Sequence, residues 1–307
     1  MLTSKVLTEI YTPVYDLMLL QTFAEYDQVH GKIFTVVDDK TSEYKVDGVS
    51  GFGEWEDATE AEDGQYEDPV LGYAKTYTPD KKRKRFSVSF EAVDRDEYAI
   101  LSKEKEAKAI GRGARARVER DTASVLYNGF GTTTGPDGVY LFSASHPKNR
   151  QETGTLYDNL LSGAFSHDNL EAAEIEISNN LKDPKGIPIP TTKNPVLAYP
   201  PALRGVVARV LSDRANERPG TANRDINRFA GMYDPVEWRF LAADMGGSAT
   251  AWYVIFKELE TLRLVWQVRP QFRSWIDEAK ELYNFSGRMI YDEGYDDHRG
   301  LFGSTGL

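Results

Sequence analysis

DRDEYAILSKEKEAKAIGRGARARVERDTASVLYNGF, residues Asp94 to Phe130, is the stretch on which the fold turns. Asp94 has the character of a helix N-cap, and Glu97, three residues on, completes capping-box spacing. Tyr98, Leu101, the Lys105 stem, Ala109, Ala116 and Ala123 fall near one another at helical spacing, while the remaining positions are densely charged. Gly111 and Gly113 weaken the middle by about 1 kcal/mol each relative to alanine, so a bend is expected there. Asn128-Gly129 ends the helix near Tyr127. A helix this long, charged over most of its circumference, needs a broad flat partner rather than a compact core of its own.

On its N-terminal side the chain is extended. Short strand-like pieces occur at Ile33 to Val37 and Tyr44 to Val46, and Tyr73 to Phe90 alternates Phe86, Val88 and Phe90 against Ser87 and Ser89. Between them, Asp47 to Ala74 holds nine carboxylates and no Lys, Arg or His. Such a stretch cannot quiet its own repulsion and fold as a compact unit. It nevertheless carries Phe52, Trp55, Tyr66 and Tyr73, which suits an arm laid on another surface. Two strand regions around an acidic, Gly-punctuated tip describe a long hairpin-like excursion. Residues 3–27, with Val6, Leu7, Ile10, Val14, Leu17 and Leu20 interrupted by Pro13, read as an amphipathic arm or a first helix with a break.

Beyond the helix, Phe130 to Pro147 is turn-rich around one short strand, Val139 to Phe142. Asp168 to Leu181 is helical, capped by Ser166 or Asp168. Val196 to Tyr199 is a strand, and Pro200-Pro201 suits the first turn of a helix through Leu211. Strands follow at Val236 to Leu241, Trp252 to Phe256, Val265 to Ile276 and Glu281 to Tyr291, with a polar, Gly-rich tail from Gly294. Helices and strands are segregated rather than alternating, which places the chain in the α+β class.

Composition narrows the function. The chain has 307 residues, 40% of them hydrophobic, enough for a sizeable core. A net charge of −11 argues against a surface built to grip nucleic acid, and the absence of Cys excludes disulfides, thiol nucleophiles and thiolate metal sites. No run approaches the ~20 apolar residues that span a bilayer, so no membrane role is expected.

No constellation supports catalysis. Ser145-His146 lacks a nucleophile elbow, and neighbours on a strand face opposite ways, so His146 reads as a turn residue satisfying backbone groups. Asp292, Glu293, Asp296, Asp297 and His298 lack the spacing of a calcium loop and read as a solvated tail. The glycine pairs around 111 and 129 do not form phosphate loops. Neither a cofactor nor a metal is expected. The basic run Lys81, Lys82, Arg83, Lys84, Arg85 and the helix arginines Arg112, Arg115, Arg117 and Arg120 remain as two cationic zones without a base-reading motif.

Several local phrases together resemble the tailed-phage major capsid proteins of the Hong Kong 97-like fold, and within them the Mu-like major head subunit group. The phrases are Val125-Leu126-Tyr127-Asn128-Gly129-Phe130, Asp137-Gly138-Val139-Tyr140-Leu141-Phe142-Ser143-Ala144-Ser145-His146-Pro147, Asn159-Leu160-Leu161, Tyr199-Pro200-Pro201-Ala202-Leu203 and Gly294-Tyr295-Asp296-Asp297-His298-Arg299-Gly300. The resemblance covers nearly the whole chain, and the phrases are specific only in combination. The resemblance implies an N-terminal arm (1–35), an extended loop (36–90), a peripheral domain with a spine helix (91–194), an axial domain (195–263), and return strands with a C-terminal tail (264–307). It also implies a non-enzymatic head protein, made in the host cytoplasm and ending in the virion. Such subunits assemble into pentamers and hexamers of an icosahedral shell around double-stranded DNA, which is enclosed without sequence-specific binding. A separate scaffolding protein and a portal are implied partners. Some such proteins weld neighbours through a loop lysine; this loop tip has none, so a non-covalent lap is expected. Its contacts are expected at Phe52, Trp55, Glu56, Asp57, Glu60 and Tyr66 on the acidic side, with Lys81 to Arg85, Arg112 and Arg115 opposite. The alternatives are an encapsulin-like cellular nanocompartment, another virion structural protein, or a soluble hydrolase using His146.

Overall fold

The charged helix forms and runs unbroken from Glu97 to Tyr127. The structure is a computed structural model that describes residues 28–48, 53–55, 57, 66–68, 72–91, 97–151, 153–212 and 227–307, with side chains in the long helix from residue 109 onward. The arm over residues 3–27 and the Asp94 cap lie outside the described residues. Among the described residues no helix is long and apolar enough to cross a membrane.

In chain order the elements are α1 (Val29–Ile33), β1 (Thr35–Asp38), β2 (Tyr44–Val46), β3 (Lys75–Tyr77), β4 (Asp80–Ser89) and α2 (Glu97–Tyr127). There follow β5 (His146–Pro147), β6 (Leu156–Tyr157), β7 (Leu160–Leu161), α3 (His167–Asn180), β8 (Val196–Tyr199) and α4 (Arg204–Val210). The chain closes with β9 (Asp234–Glu237), β10 (Trp252–Ile255), β11 (Leu262–Asp277), β12 (Leu282–Tyr295) and β13 (Leu301–Ser304). Ser166 caps α3, its hydroxyl accepting from the Asn169 amide as its position predicts.

Two sheets organise these elements. One has the order β1-β11-β12-β4, the other β7-β13-β10-β8-β9. The long β11–β12 hairpin forms the middle of the first, and β4 pairs antiparallel along β12 from Asp80–Tyr291 to Ser89–Leu282. The β11–β12 register shifts between Trp266 and Gln271. Pro270 lies within the second of the two shifts, between Val268 and Gln271, and has no N–H for the ladder, which accounts for that one. The helix α2 packs on β12 and on the segment after β9.

Alternate residues of β10 divide the interior. Tyr253 and Ile255 face a cluster with Val118, Leu126, Trp238, Leu264 and Tyr291, between α2 and the sheets. Trp252 and Val254 face a second cluster with Leu170, Ile177, Val207, Phe229 and Phe302, beneath α3 and α4. This two-residue period is what a strand buried on both sides requires. Each fully buried large side chain contributes ~1.5–3 kcal/mol relative to exposure.

Three sequence expectations are corrected. Val139 to Phe142 is not a strand; only a bridge from Thr134 to Tyr140 forms, and strand pairing begins at His146. The segment beyond Gly294 is not solvated: β13 lies between β10 and β7, with all four residues buried. The acidic cluster leading into it is held by fixed donors, Thr78 N on Asp292 at 2.7 Å and Tyr77 Oη on Asp296 at 2.5 Å. Third, the buried side of α2 is only partly the alanine line: Ala123 is fully buried, but Ala116 is half-buried. Ala109 is exposed, whereas Arg115, Val118, Glu119, Thr122 and Leu126 face inward, because paired charges are buried there alongside the apolar residues. The five-stranded sheet also draws strands at 160–161 and 301–304 from outside the segment 195–263.

Candidate subunit-contact surfaces

The acidic loop leaves the body through a narrow root. β2 and β3 pair from Tyr44–Tyr77 to Val46–Lys75, and just beyond, the Gly72 amide donates to Gly48 O at 2.5 Å. A Cβ on Gly72 would lie 2.3 Å from that oxygen, so only glycine lets the two chains approach this closely. Further out, Glu67 accepts from Gly53 N at 2.8 Å and pairs with Lys185, whose hydrogen bond holds the Glu67 carboxyl below the usual range. Trp55 and Tyr66 are fully exposed, at 100% and 104%, and Asp57 is exposed beside them. Phe52, Glu56 and Glu60 lie outside the described residues.

The basic run lies on β4. Lys82 faces the helix side, 5.0 Å from the Tyr291 ring centroid, while Arg85 stands 5.5 Å from the ring centroid of Trp275. Lys81, Arg83, Lys84 and Arg85 are exposed. Arg83 is the direct cross-strand partner of Arg288. Like charges opposed across a ladder are destabilising, so an anionic surface laid over them is favoured. The sequence reading missed Arg288 and Trp275, because only strand register reveals that they stand beside the basic run.

The helix arginines separate. Arg112 is exposed, but Arg115 is 3% exposed and belongs to the chain's own interior, which corrects its assignment as a contact residue. Its Nη2 donates to Glu119 Oε1 at 2.7 Å. The same oxygen accepts from His30 Nδ1 at 2.8 Å, and Oε2 accepts from Trp238 Nε1 at 2.9 Å and from the His30 amide at 3.3 Å. Glu119 thereby joins α1, α2 and the segment after β9.

His146 and His298 stack in the interior, ring centroids 3.9 Å apart and 7° from parallel. His146 Nδ1 lies 2.6 Å from Asp137 Oδ2, and its Nε2 lies 3.1 Å from Leu141 O. Both ring nitrogens are therefore committed, as the backbone-satisfying role of a turn histidine requires, and neither is free to activate a serine. Ser145 instead meets Ser143, Oγ to Oγ at 2.9 Å. Burial pushes the His298 imidazole down to about 3, so it is neutral. Ligand atoms of Asp137, His146 and His298 lie within 4.8 Å of one another. Parallel rings at this spacing do not aim their in-plane lone pairs at one point, so the set as built does not fit a metal.

The sequence model of the phage capsid protein family matches residues 72–303, spanning both sheets and the long helix. The chain belongs to the phage capsid protein family. No curated protein matches it. Among solved structures, this capsid protein resembles the procapsid of bacteriophage JBD30, at 14% identity and TM-score 0.52, over 99% of this chain and 76% of that one. It resembles Mycobacterium phage Patience at 11% identity and TM-score 0.56, over 99% and 89%. It also resembles a virus-like particle from Pyrococcus furiosus at 12% identity and TM-score 0.51, over 95% and 98%. The shared fold is the Hong Kong 97-like one. The capsid protein is thus a structural component of a virion, not an enzyme.

Proposed function

We propose that this capsid protein is the major head subunit of a tailed phage, of the Mu-like group. Its copies self-assemble into pentamers and hexamers and close an icosahedral shell around double-stranded DNA. The observation that carries this reading is the family match running through both sheets and the spine helix. In it, residues 1–35 act as an arm, 36–90 as the lapping loop, 91–194 with 264–307 as the peripheral part, and 195–263 as the part nearest the capsomer axis. A separate scaffolding protein and a portal complete the assembly.

The lap is non-covalent. The acidic loop, with Phe52, Trp55, Glu56, Asp57, Glu60 and Tyr66, lies over Lys81 to Arg85 and Arg112 of a neighbour. Exposed ion pairs contribute only ~0–1 kcal/mol each, so they set register, while the aromatic side chains carry affinity at ~2 kcal/mol or more apiece. Modest contacts suffice because each subunit makes several at once.

Negative-stain microscopy of the concentrated, purified protein tests the reading. Closed shells or rings of five and six subunits are expected; a monomer under every assembly condition would refute it. The likeness to the Pyrococcus furiosus particle favours a second reading, a cellular compartment. The two separate by the contents of particles isolated from their native source: packaged double-stranded DNA for the first, a protein cargo for the second.

A further inference from the structure

Where α2 crosses the β11–β12 hairpin and β4, a cavity of about 370 Å³ opens beside Gly113. Its floor is apolar, made by Ile110, Pro270, Phe272 and Met289, and its rim is cationic, with Lys82, Lys84 and Arg117. The size is at the small end of the ~300–1,000 Å³ range of binding pockets, enough for one aromatic side chain.

Gly113 is the informative residue. A glycine inside a helix costs about 1 kcal/mol relative to alanine. Nothing among the described residues lies within 4 Å of where its Cβ would sit, and it has no positive φ to explain it. The packing of the described residues therefore does not need glycine there; the missing side chain leaves room for a further group. Nor is the rim electrically closed. Arg117 pairs with Asp121 at 2.8 Å, and Lys82 lies 3.9 Å from Asp80 with Asp292 and Glu293 as further charged neighbours. Lys84 has no carboxylate partner among the described residues.

An occupant that matches an apolar floor under a cationic rim is an aromatic ring flanked by carboxylates. Trp55 meets that description, with exposed Glu54 and Asp57 on either side. It is fully exposed in its own chain, so it does not fill its own groove. We propose that Trp55 of a second copy inserts into the groove beside Gly113, with Glu54 and Asp57 meeting Lys84 and Lys82 at the rim. This rests on the shell reading above and gives the lap its anchoring socket.

The absence of cysteine makes the test clean. Gly113→Cys, probed with a maleimide, is expected to react readily in the free subunit and at least tenfold more slowly in assembled particles. Mixed particles of Trp55→Cys and Gly113→Cys chains, treated with a short bismaleimide, are expected to give covalent dimers. Equal reactivity of the Gly113→Cys thiol in both states overturns the proposal. So does protection already in the free subunit, which would place a segment of the same chain, such as residues 1–27, in the groove. A crosslink from position 55 to Trp275→Cys, on the opposite sheet face, in preference to position 113 also overturns it. Should these thiol variants not assemble, Gly113→Leu and Gly113→Ala decide. Leucine is expected to raise the concentration needed for assembly about tenfold and alanine to leave it unchanged; equal yields overturn the socket. All these failures leave particle formation by the unmodified chain intact, whereas failure of that chain to form particles sinks the shell reading itself.

Discussion

Glu119 accepts from His30, Arg115 and Trp238 at once, and this sets what its loss does. Glu119→Ala would leave a buried guanidinium without its carboxylate. Breaking a buried pair from one side costs about 3–5 kcal/mol, so urea denaturation should show a loss of that order. His298 predicts a pH effect. Its folded-state value of about 3 lies below the ordinary 6.5, with burial the main cause and Asp297 opposing it. The unfolded chain therefore binds the proton first, and stability falls as pH drops from about 6.5 toward about 3. His298→Phe keeps a ring in the stack and removes the proton, so its melting temperature should decline less steeply with acid. Neither residue's role was legible in the sequence. His146 and His298 lie far apart along the chain, and a charged residue in a helical pattern reads as solvated until its partner is known. The Ser166 cap was legible, because its donor lies three residues away.

At the scale of elements, local pattern was enough wherever one strand or helix decides its own fate. Val196 to Tyr199, the β11–β12 hairpin and the long helix form where periodicity places them. The facing of α2 was read only in part: of the apolar line Ala109, Ala116 and Ala123, the packing buries Ala123 and leaves Ala109 exposed. Gly113→Ala should stabilise the free subunit by about 0.5–1 kcal/mol, measured by urea midpoint, because the position is helical and open. Glu293, on β12 with Asp121 of α2 and Lys82 of β4 for neighbours, couples three elements. Burial, then Asp121, pushes its carboxyl up to about 7 from an ordinary 4.5. The folded chain holds this proton more tightly, so the associated stability is full below about 4.5 and is lost as pH rises through about 7. Glu293→Gln should flatten the stability profile across that window.

For the whole molecule, the acidic tip and the basic β4 strand were visible from charge alone, but their depth was not. The basic run is a shallow, solvent-facing row, and the socket beside it depends on a glycine that composition cannot interpret. This orders the effects on assembly. Trp55→Ala should raise the assembly concentration by more than Lys82→Glu with Lys84→Glu, as read by light scattering. Raising the salt to 1 M, where the Debye length is about 3 Å, should weaken the charge contribution and leave the aromatic one.

The place of β13 has a consequence for how such a protein is made. Its four residues lie between β10 and β7, and Phe302 belongs to the second cluster. A ribosome that has not yet released residue 304 therefore holds a chain whose sheet lacks the strand that joins β7 to β10. Prematurely terminated products lack the same strand and cannot present a finished surface to their neighbours. Chains truncated before Leu301 are therefore expected to stay out of assembled particles, read by sedimentation of mixed full-length and truncated protein.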